Sequence, residues 1–499
     1  MTQKHLQTIS FFLILSMLLI ALVGCKGSGD EKTTDDNSST TTDNAEAGNL
    51  YDSNGFLKDD LPESFENSPE EVSVFYWSDA ENKEYKIDSL SGSDIVSNSL
   101  YKRNLTVADR MGVEINFVGC KGDYNACGTF NTTLLSTVSA GEQYDIVSAY
   151  SMTMAVCARD GMLANMKNSQ YVNLEKPWWP EGLVETCNIG DAVYFCTGDA
   201  SINSLYMMYC CYFNKQLLTD FHSDIDLYEV VKNGEWTYEK MLTLINGVYI
   251  DEGASGRNAA EDTFGMIGCT LYSNSMIEAF GFDEIVNRDG LLTISDEWDG
   301  SRVDDVISDL NDMFDSEYAV SGTTADVRDG FNTGRSLFAV LYADQAAKRF
   351  SKNQDLSYGV VPLPKLDTSQ NEYITPVANP ASFYGICNSS LDVTFAGAFL
   401  ECWASEGYRQ VSPSLFEKSF KLKYSADNDN ALMYDYIRNG MKFNTARLFA
   451  LASNGDIATF TLDPVLDEAK VSWMTYTEAK KTAMTLAIRE LNSFFENLQ

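Results

Sequence analysis

Apolar and polar positions are patterned from about residue 70 onward. Val72-Ser-Val-Phe-Tyr-Trp77 is a compact β-branched and aromatic run and predicts a strand. From Ile95 to Met111 the apolar residues Ile95, Leu100, Leu105, Ala108 and Met111 recur at mixed helical spacing. Lys102, Arg103, Asp109 and Arg110 fall between them, and Gly112 ends the helix. Val113 to Val118 alternates as a second strand. Phe130 to Ala140 predicts a helix closed by Gly141, and Tyr144 to Ala149 a third strand. Strands alternating with helices across short breaks predict a parallel α/β unit. Ligands of such sheets sit at the carboxyl ends of the strands. That rule puts Tyr76, Trp77, Tyr150 and Ser151 at the edge of a candidate cleft.

Later segments continue the pattern. Leu205 to Phe213 predicts a strand, with Asn214 as the cap of the next helix. Thr237 is a cap candidate with Lys240, not Glu, at the reciprocal position. Gly334 separates a helical start from the strand Ser336 to Tyr342. Tyr358 to Val361 can pair in a sheet, but Pro362 and Pro364 lack amide donors, so the chain must then leave it.

The first 25 residues follow a different pattern. A weakly basic start, Lys4 and His5, precedes an apolar run from Ile9 to Val23. The run is short of the roughly 20 residues needed to span a bilayer, and has the layout of a secretory signal. Its end, Leu22-Val-Gly-Cys25, resembles a bacterial lipoprotein signal. The resemblance implies that residues 1–24 are removed, that Cys25 carries a lipid, and that the rest lies outside the cytoplasmic membrane. A plain cleaved signal is the alternative. Gly27 to Gly48 is almost free of apolar residues and predicts a disordered leash. Anchor and linker together are placed at 25–69.

Composition narrows the classes. The chain from about Glu70 to Gln499 exceeds one core, so at least two lobes are expected. A net charge of −36 argues against nucleic-acid or anionic-lipid partners. Of eleven cysteines, ten remain if Cys25 is lipidated, and none form a Cys-x-x-Cys pair. Most read as small buried hydrophobes. Cys120 and Cys127, flanking a Gly-rich loop, are the best disulfide candidates. Only His5 and His222 are present, which weakens hydrolase readings and removes a His-rich metal site. No Gly-rich phosphate loop follows a strand. Asp427-Asn-Asp429-Asn lacks the Gly and Glu of a calcium loop and reads as a polar turn.

Six segments, in order, resemble the extracellular solute-binding proteins of ABC importers, in the carbohydrate branch. They are Ser139-Ala-Gly-Glu-Gln-Tyr-Asp145, Gly161-Met-Leu-Ala-Asn-Met166, Tyr212-Phe-Asn-Lys-Gln-Leu-Leu218, Trp236-Thr-Tyr-Glu-Lys-Met241, Phe331-Asn-Thr-Gly-Arg-Ser-Leu-Phe338 and Tyr358-Gly-Val-Val-Pro-Leu-Pro-Lys365. They cover the body from about Val72 to Trp403. The resemblance implies an α/β, two-lobed periplasmic-binding-protein-like fold (type II), each lobe a mostly parallel sheet flanked by helices. Lobe one would take 70–203 and 357–405. Lobe two would take 204–356 and 406–499, with crossings near Ser204, Leu356 and Ser405. The segments Met441 to Leu451 and Tyr476 to Leu498 predict amphipathic helices packed on lobe two.

The same resemblance implies a carbohydrate ligand, ABC permease partners, a monomer, no cofactor and no catalysis. Sugars are held by aromatic faces together with carboxylates and amides. The candidates are Tyr76, Trp77, Tyr150, Asp199, Tyr206, Trp236, Tyr272, Tyr342, Asp344 and Tyr384, each at a predicted strand end or lobe crossing. Ordinary core or rim packing is the competing explanation for each. Trp178-Trp179, between Pro177 and Pro180, either faces the cleft or packs on lobe one. Two other functions stay open: a surface glycoside hydrolase using paired carboxylates, and a peptide or polyamine binder on the same fold.

Overall fold

The computed structural model of the chain describes residues 50–87, 89–90, 94–253, 256–297, 300–415, 428–453 and 472–498. The signal, Cys25 and the leash to Gly48 lie outside the described residues. Of the described residues, 50–57 belong to one unit and those from Lys58 onward to another. In the first, Asp52 accepts hydrogen bonds from the amides of Asn54 and Phe56, closing a small turn.

The predicted first sheet forms. Strands β1 (Glu71–Trp77), β2 (Glu114–Cys120) and β3 (Ile146–Tyr150) are parallel. The helix Ile95–Met111 begins on Asp94, whose carboxylate accepts from the Val96 and Ser97 amides. It ends at Gly112, which takes a φ of 68° that a side chain would resist. The second sheet holds β4 (Tyr209–Asn214), β5 (Thr263–Gly268), β6 (Ala319–Ser321), β7 (Ser336–Tyr342) and β8 (Tyr358–Val361). Its order is β6-β5-β7-β4-β8, with β4 reversed. A later strand, β9 (Ser382–Ile386), returns to the first sheet, antiparallel to β3. The first sheet therefore runs β9-β3-β1-β2. Each sheet is mostly parallel, with a helical layer.

Several boundaries differ from expectation. The segment predicted as one strand from Leu205 is a helix, Ile202–Tyr206, followed by β4. Ser201 caps that helix through its hydroxyl, which accepts from the Asn203 amide, so the backbone turns before it pairs. Strand β8 pairs with β4 in the second sheet, so the chain does not cross at Leu356. It crosses between Val361 and Ser382, as the prolines at 362 and 364 require. There Met208 and Val377 form a bridge, and the Val377 amide bonds the Lys442 carbonyl. Among the described residues, three crossing segments thus lie side by side.

The carboxyl-terminal segment is not confined to lobe two. The short helix Thr445–Phe449 packs on the lobe-one helix Ser151–Arg159. The long helix Trp473–Glu496 packs on the lobe-two helix Ser301–Asp315 and also on Ser151–Arg159. Its Phe495 lies 5.9 Å from Tyr194 of lobe one, while Asn492 bonds the backbone of Leu292. No described helix is long and apolar enough to cross a membrane.

Residues 58–69, expected within the disordered linker, are packed on the body. Asp59 is buried and pairs with Arg409 at 2.8 Å and with Arg110. Burial alone would raise its carboxyl, but the two guanidiniums hold it well below the usual carboxylate range. Phe65 meets Tyr171 and Phe395 edge to face. The Cys120–Cys127 disulfide is absent: each thiol faces a nearby carbonyl, of Lys121 and Asp123 respectively. The ten described cysteines are free, and nine of them are buried.

Candidate interlobe binding site

The strand ends that face the crossings form a candidate site. Trp77 closes β1 and Tyr150 closes β3. Ser382 opens the antiparallel β9 directly opposite Tyr150. The Trp77 indole donates to the Ser382 hydroxyl at 2.9 Å, which fixes its ring edge-on to Tyr150 at 5.6 Å. On lobe two, Tyr342 closes β7 and sits opposite Tyr209, which opens β4. Their rings are 5.0 Å apart. Tyr272, on the helix Thr270–Ala279 after β5, stands perpendicular to Tyr342 at 5.5 Å. Met208, next to Tyr209, bridges Val377, and the Ser151 hydroxyl, next to Tyr150, donates to the Asn379 carbonyl at 2.9 Å, so both clusters border the same crossing.

Charged groups frame these rings. Arg447 pairs with Glu278 at 2.7 Å and donates to the Val377 carbonyl at 3.1 Å, beside the crossing. Among the described residues its buried Nε has no hydrogen-bond partner. Asp344, fully buried just past β7, pairs with Lys348 at 2.6 Å. Lys348 also reaches Glu81 of lobe one at 3.7 Å, an ion pair between lobes. Burial pushes the Tyr342 phenol up to about 12 and raises Tyr150 and Tyr272 further, so all three stay neutral donors at physiological pH. Burial likewise raises Glu278 against the opposing charge of Arg447, and raises Glu284 to about 7.

Of the candidates read from the sequence, Trp77, Tyr150, Tyr272, Tyr342 and Asp344 lie in or beside these two clusters, and all but Tyr342 are buried. Tyr206 ends the helix at the first crossing. The other four lie elsewhere. Tyr76 packs on Tyr85 at 4.5 Å and on Phe117, on a face of the first sheet. Trp236 is buried inside lobe two, where its indole bonds the Pro362 carbonyl. Asp199 is buried against Arg438, 3.6 Å away. Tyr384 belongs to a network inside lobe one: its hydroxyl donates at 3.1 Å to Glu84, which also accepts from Ser201 and the Ile202 and Asn203 amides.

Trp178 and Trp179 pack on lobe one. Both indoles donate at 3.0 Å to Glu401, one to each carboxylate oxygen. A groove of about 950 Å³ beside them, lined in part by Lys167, Tyr171 and Lys176, is separate from the crevice. Sequence reasoning missed Tyr209, Glu278 and Arg447. Tyr209 is hidden in the apolar run Met208-Tyr-Cys-Cys211, and Arg447 lies where the sequence shows only generic helical periodicity. No group of three or more His, Cys, Asp or Glu among the described residues could hold a metal.

No family profile matches the chain, and no curated protein matches it. Solved structures do. A cyclo/maltodextrin-binding protein complexed with maltotetraose is 12% identical, with a TM-score of 0.56 over 85% of this chain and 98% of that one. The GacH receptor of Streptomyces glaucescens, solved unliganded and with acarbose, is 12% identical, with a TM-score of 0.52 over 84% and 98%. An ABC substrate-binding protein from Listeria monocytogenes, in complex with cycloalternan, is 12% identical, with a TM-score of 0.50 over 85% and 98%. The chain has the fold of ABC substrate-binding proteins. Its two-lobed fold is shared with maltodextrin-binding structures among these neighbours.

Proposed function

We propose that this chain captures a carbohydrate, an oligosaccharide, between its lobes and delivers it to an ABC permease. A lipid on Cys25 would hold it at the outer face of the cytoplasmic membrane. The observation that carries this reading is the placement of two aromatic clusters beside the crossings, Trp77 with Tyr150 in one lobe and Tyr209, Tyr272 and Tyr342 in the other. Sugar rings present apolar C–H faces that lie on aromatic rings, and hydroxyls that bond charged groups. Arg447 and Glu278 supply such charges. The structural neighbours named above hold maltotetraose, acarbose and cycloalternan, which supports the ligand class.

The mechanism is closure. A ligand that touches both lobes binds the closed arrangement more tightly than the open one, and that difference shifts the population. Three crossing segments side by side give a defined axis. No bond in the ligand need break. The carboxylates of Glu278, Glu81 and Asp344 are each paired with a cation, which suits hydroxyl recognition better than acid–base work.

Thermal unfolding of the full-length chain in a non-glycosidic detergent, against oligosaccharides, peptides and polyamines, tests the reading. A ligand at 100 times its dissociation constant stabilises by about 2.7 kcal/mol. A shift with one oligosaccharide class, and no product by chromatography, supports it. Consumption of the sugar makes the chain an enzyme. A shift only with peptides or polyamines removes the carbohydrate assignment.

A further inference from the structure

We propose that lobe two carries a second binding site, floored by Lys365, for a small molecule that bears a carboxylate on a six-membered ring. Lys365 follows Pro364 where the chain leaves β8. Its backbone is pinned to the next segment: its amide donates to the Trp236 carbonyl at 3.1 Å, and its carbonyl accepts from the Tyr238 amide at 2.8 Å. The residue is only 5% exposed. An ammonium has three donors and is costly to bury without acceptors. Yet among the described residues this one has no hydrogen-bond acceptor and no carboxylate partner; its neighbour is the Tyr373 ring, 5.4 Å away. In a chain with 72 acidic and 36 basic residues, an unpaired buried lysine stands out.

A pocket of about 510 Å³ opens onto it, lined by Lys232, Gly234, Lys365, Tyr373, Tyr436 and Asn439, among others. Lys232 is already paired with Glu229 and Asp429, and Glu372 adds a negative charge to the lining. Lys365 is therefore the cation of the lining that has no ion-pair partner among the described residues. Tyr373 and Tyr436 stand edge to face, 6.0 Å apart, and offer apolar surface for a ring. Gly234 keeps the approach open. Its φ is +73°, and a Cβ there would stand 3.4 Å from the ammonium. The volume suits one ring and its substituents. A ring carboxylate would complete the ammonium while the ring lies against the tyrosines. Sugar acids and aromatic acids share this chemistry.

None of the crevice residues lines this pocket, so the proposal stands apart from the carbohydrate reading. Calorimetric titration of the full-length chain with glucuronate, benzoate and glucose tests it. At least one acid should bind with a dissociation constant below about 1 mM, and glucose should not compete. Lys365→Met should weaken the acid at least about tenfold and leave any oligosaccharide response unchanged. In the unaltered protein, acetylation of Lys365, read by mass spectrometry, should slow on saturation with the acid. Binding of glucuronate alone assigns a sugar acid, and binding of benzoate alone an aromatic acid. The site is overturned if neither acid binds, if Lys365→Met binds equally well, or if the acid gives no protection.

Discussion

The aromatic cluster inside lobe one and the one at the crevice are built from the same side chains. Around Tyr384, Tyr85 and Trp403 the polar atoms are used up internally. Glu84 collects donors from Tyr384, Ser201 and two amides, and Tyr85 bonds Ser148 at 2.9 Å. Arg103 donates to the Glu84 carbonyl and lies 3.5 Å over Trp403, with burial holding its guanidinium down to about 10. The crevice cluster differs. Its rings come from two lobes, Tyr342 keeps some exposure, and Arg447 retains an unbonded Nε. The lesson is that a tyrosine at a strand end becomes a candidate ligand only when its surroundings leave it something to bind.

The largest expected effect separates the two clusters by stability. Arg103→Met leaves Glu84 buried without its nearby cation and should cost about 3–5 kcal/mol. Urea unfolding would show this, while the molecules that remain folded keep their ligand affinity. A loss under 1 kcal/mol would mean the lobe-one network is not a structural unit.

Next comes a contrast of carboxylates. Glu84 has several donors, whereas Glu284, behind the crevice, accepts from Asn444 at 3.1 Å and lies near Glu278. Its carboxyl rises from 4.5 to about 7, burial being the main cause. The folded chain thus keeps a proton that the unfolded chain releases above its ordinary value. Its stabilising contribution is present at low pH and is lost as pH rises from about 4.5 to 7. Glu284→Gln should flatten that decline by on the order of 2 kcal/mol, read by denaturant unfolding at several pH values. An unchanged profile would place Glu284 among ordinary carboxylates.

Smaller effects should appear in binding. Tyr150→Ala removes a ring from the lobe-one side and should weaken oligosaccharide binding about tenfold, near 1.4 kcal/mol. Glu81→Gln removes the 3.7 Å link between lobes. Because both partners are substantially exposed, it should change affinity by less than about 1 kcal/mol and lose even that at high salt.

The contrast also explains what the sequence made legible. β1 to β3 and their helices were readable because each is a local pattern with its own stop, such as Gly112. The lobe of β8 was not, because a four-residue strand carries no mark of its partner. Strand ends could be read, and with them Trp77, Tyr150 and Tyr342. Tyr384 and Trp236 satisfied the same rule but sit in separate networks away from the crossing, bonded to Glu84 and to the Pro362 carbonyl, which are distant in sequence. Arg447 could not be found, since its role depends on Glu278 and Val377 meeting it at a crossing.

Calorimetric titration with the oligosaccharide that gives the largest unfolding shift, on the unaltered chain, Tyr342→Ala and Tyr384→Phe, tests the central claim most directly. The account predicts that Tyr342→Ala loses at least about tenfold in affinity while Tyr384→Phe binds as the unaltered chain does. Equal affinity in all three, or loss in Tyr384→Phe alone, would contradict it.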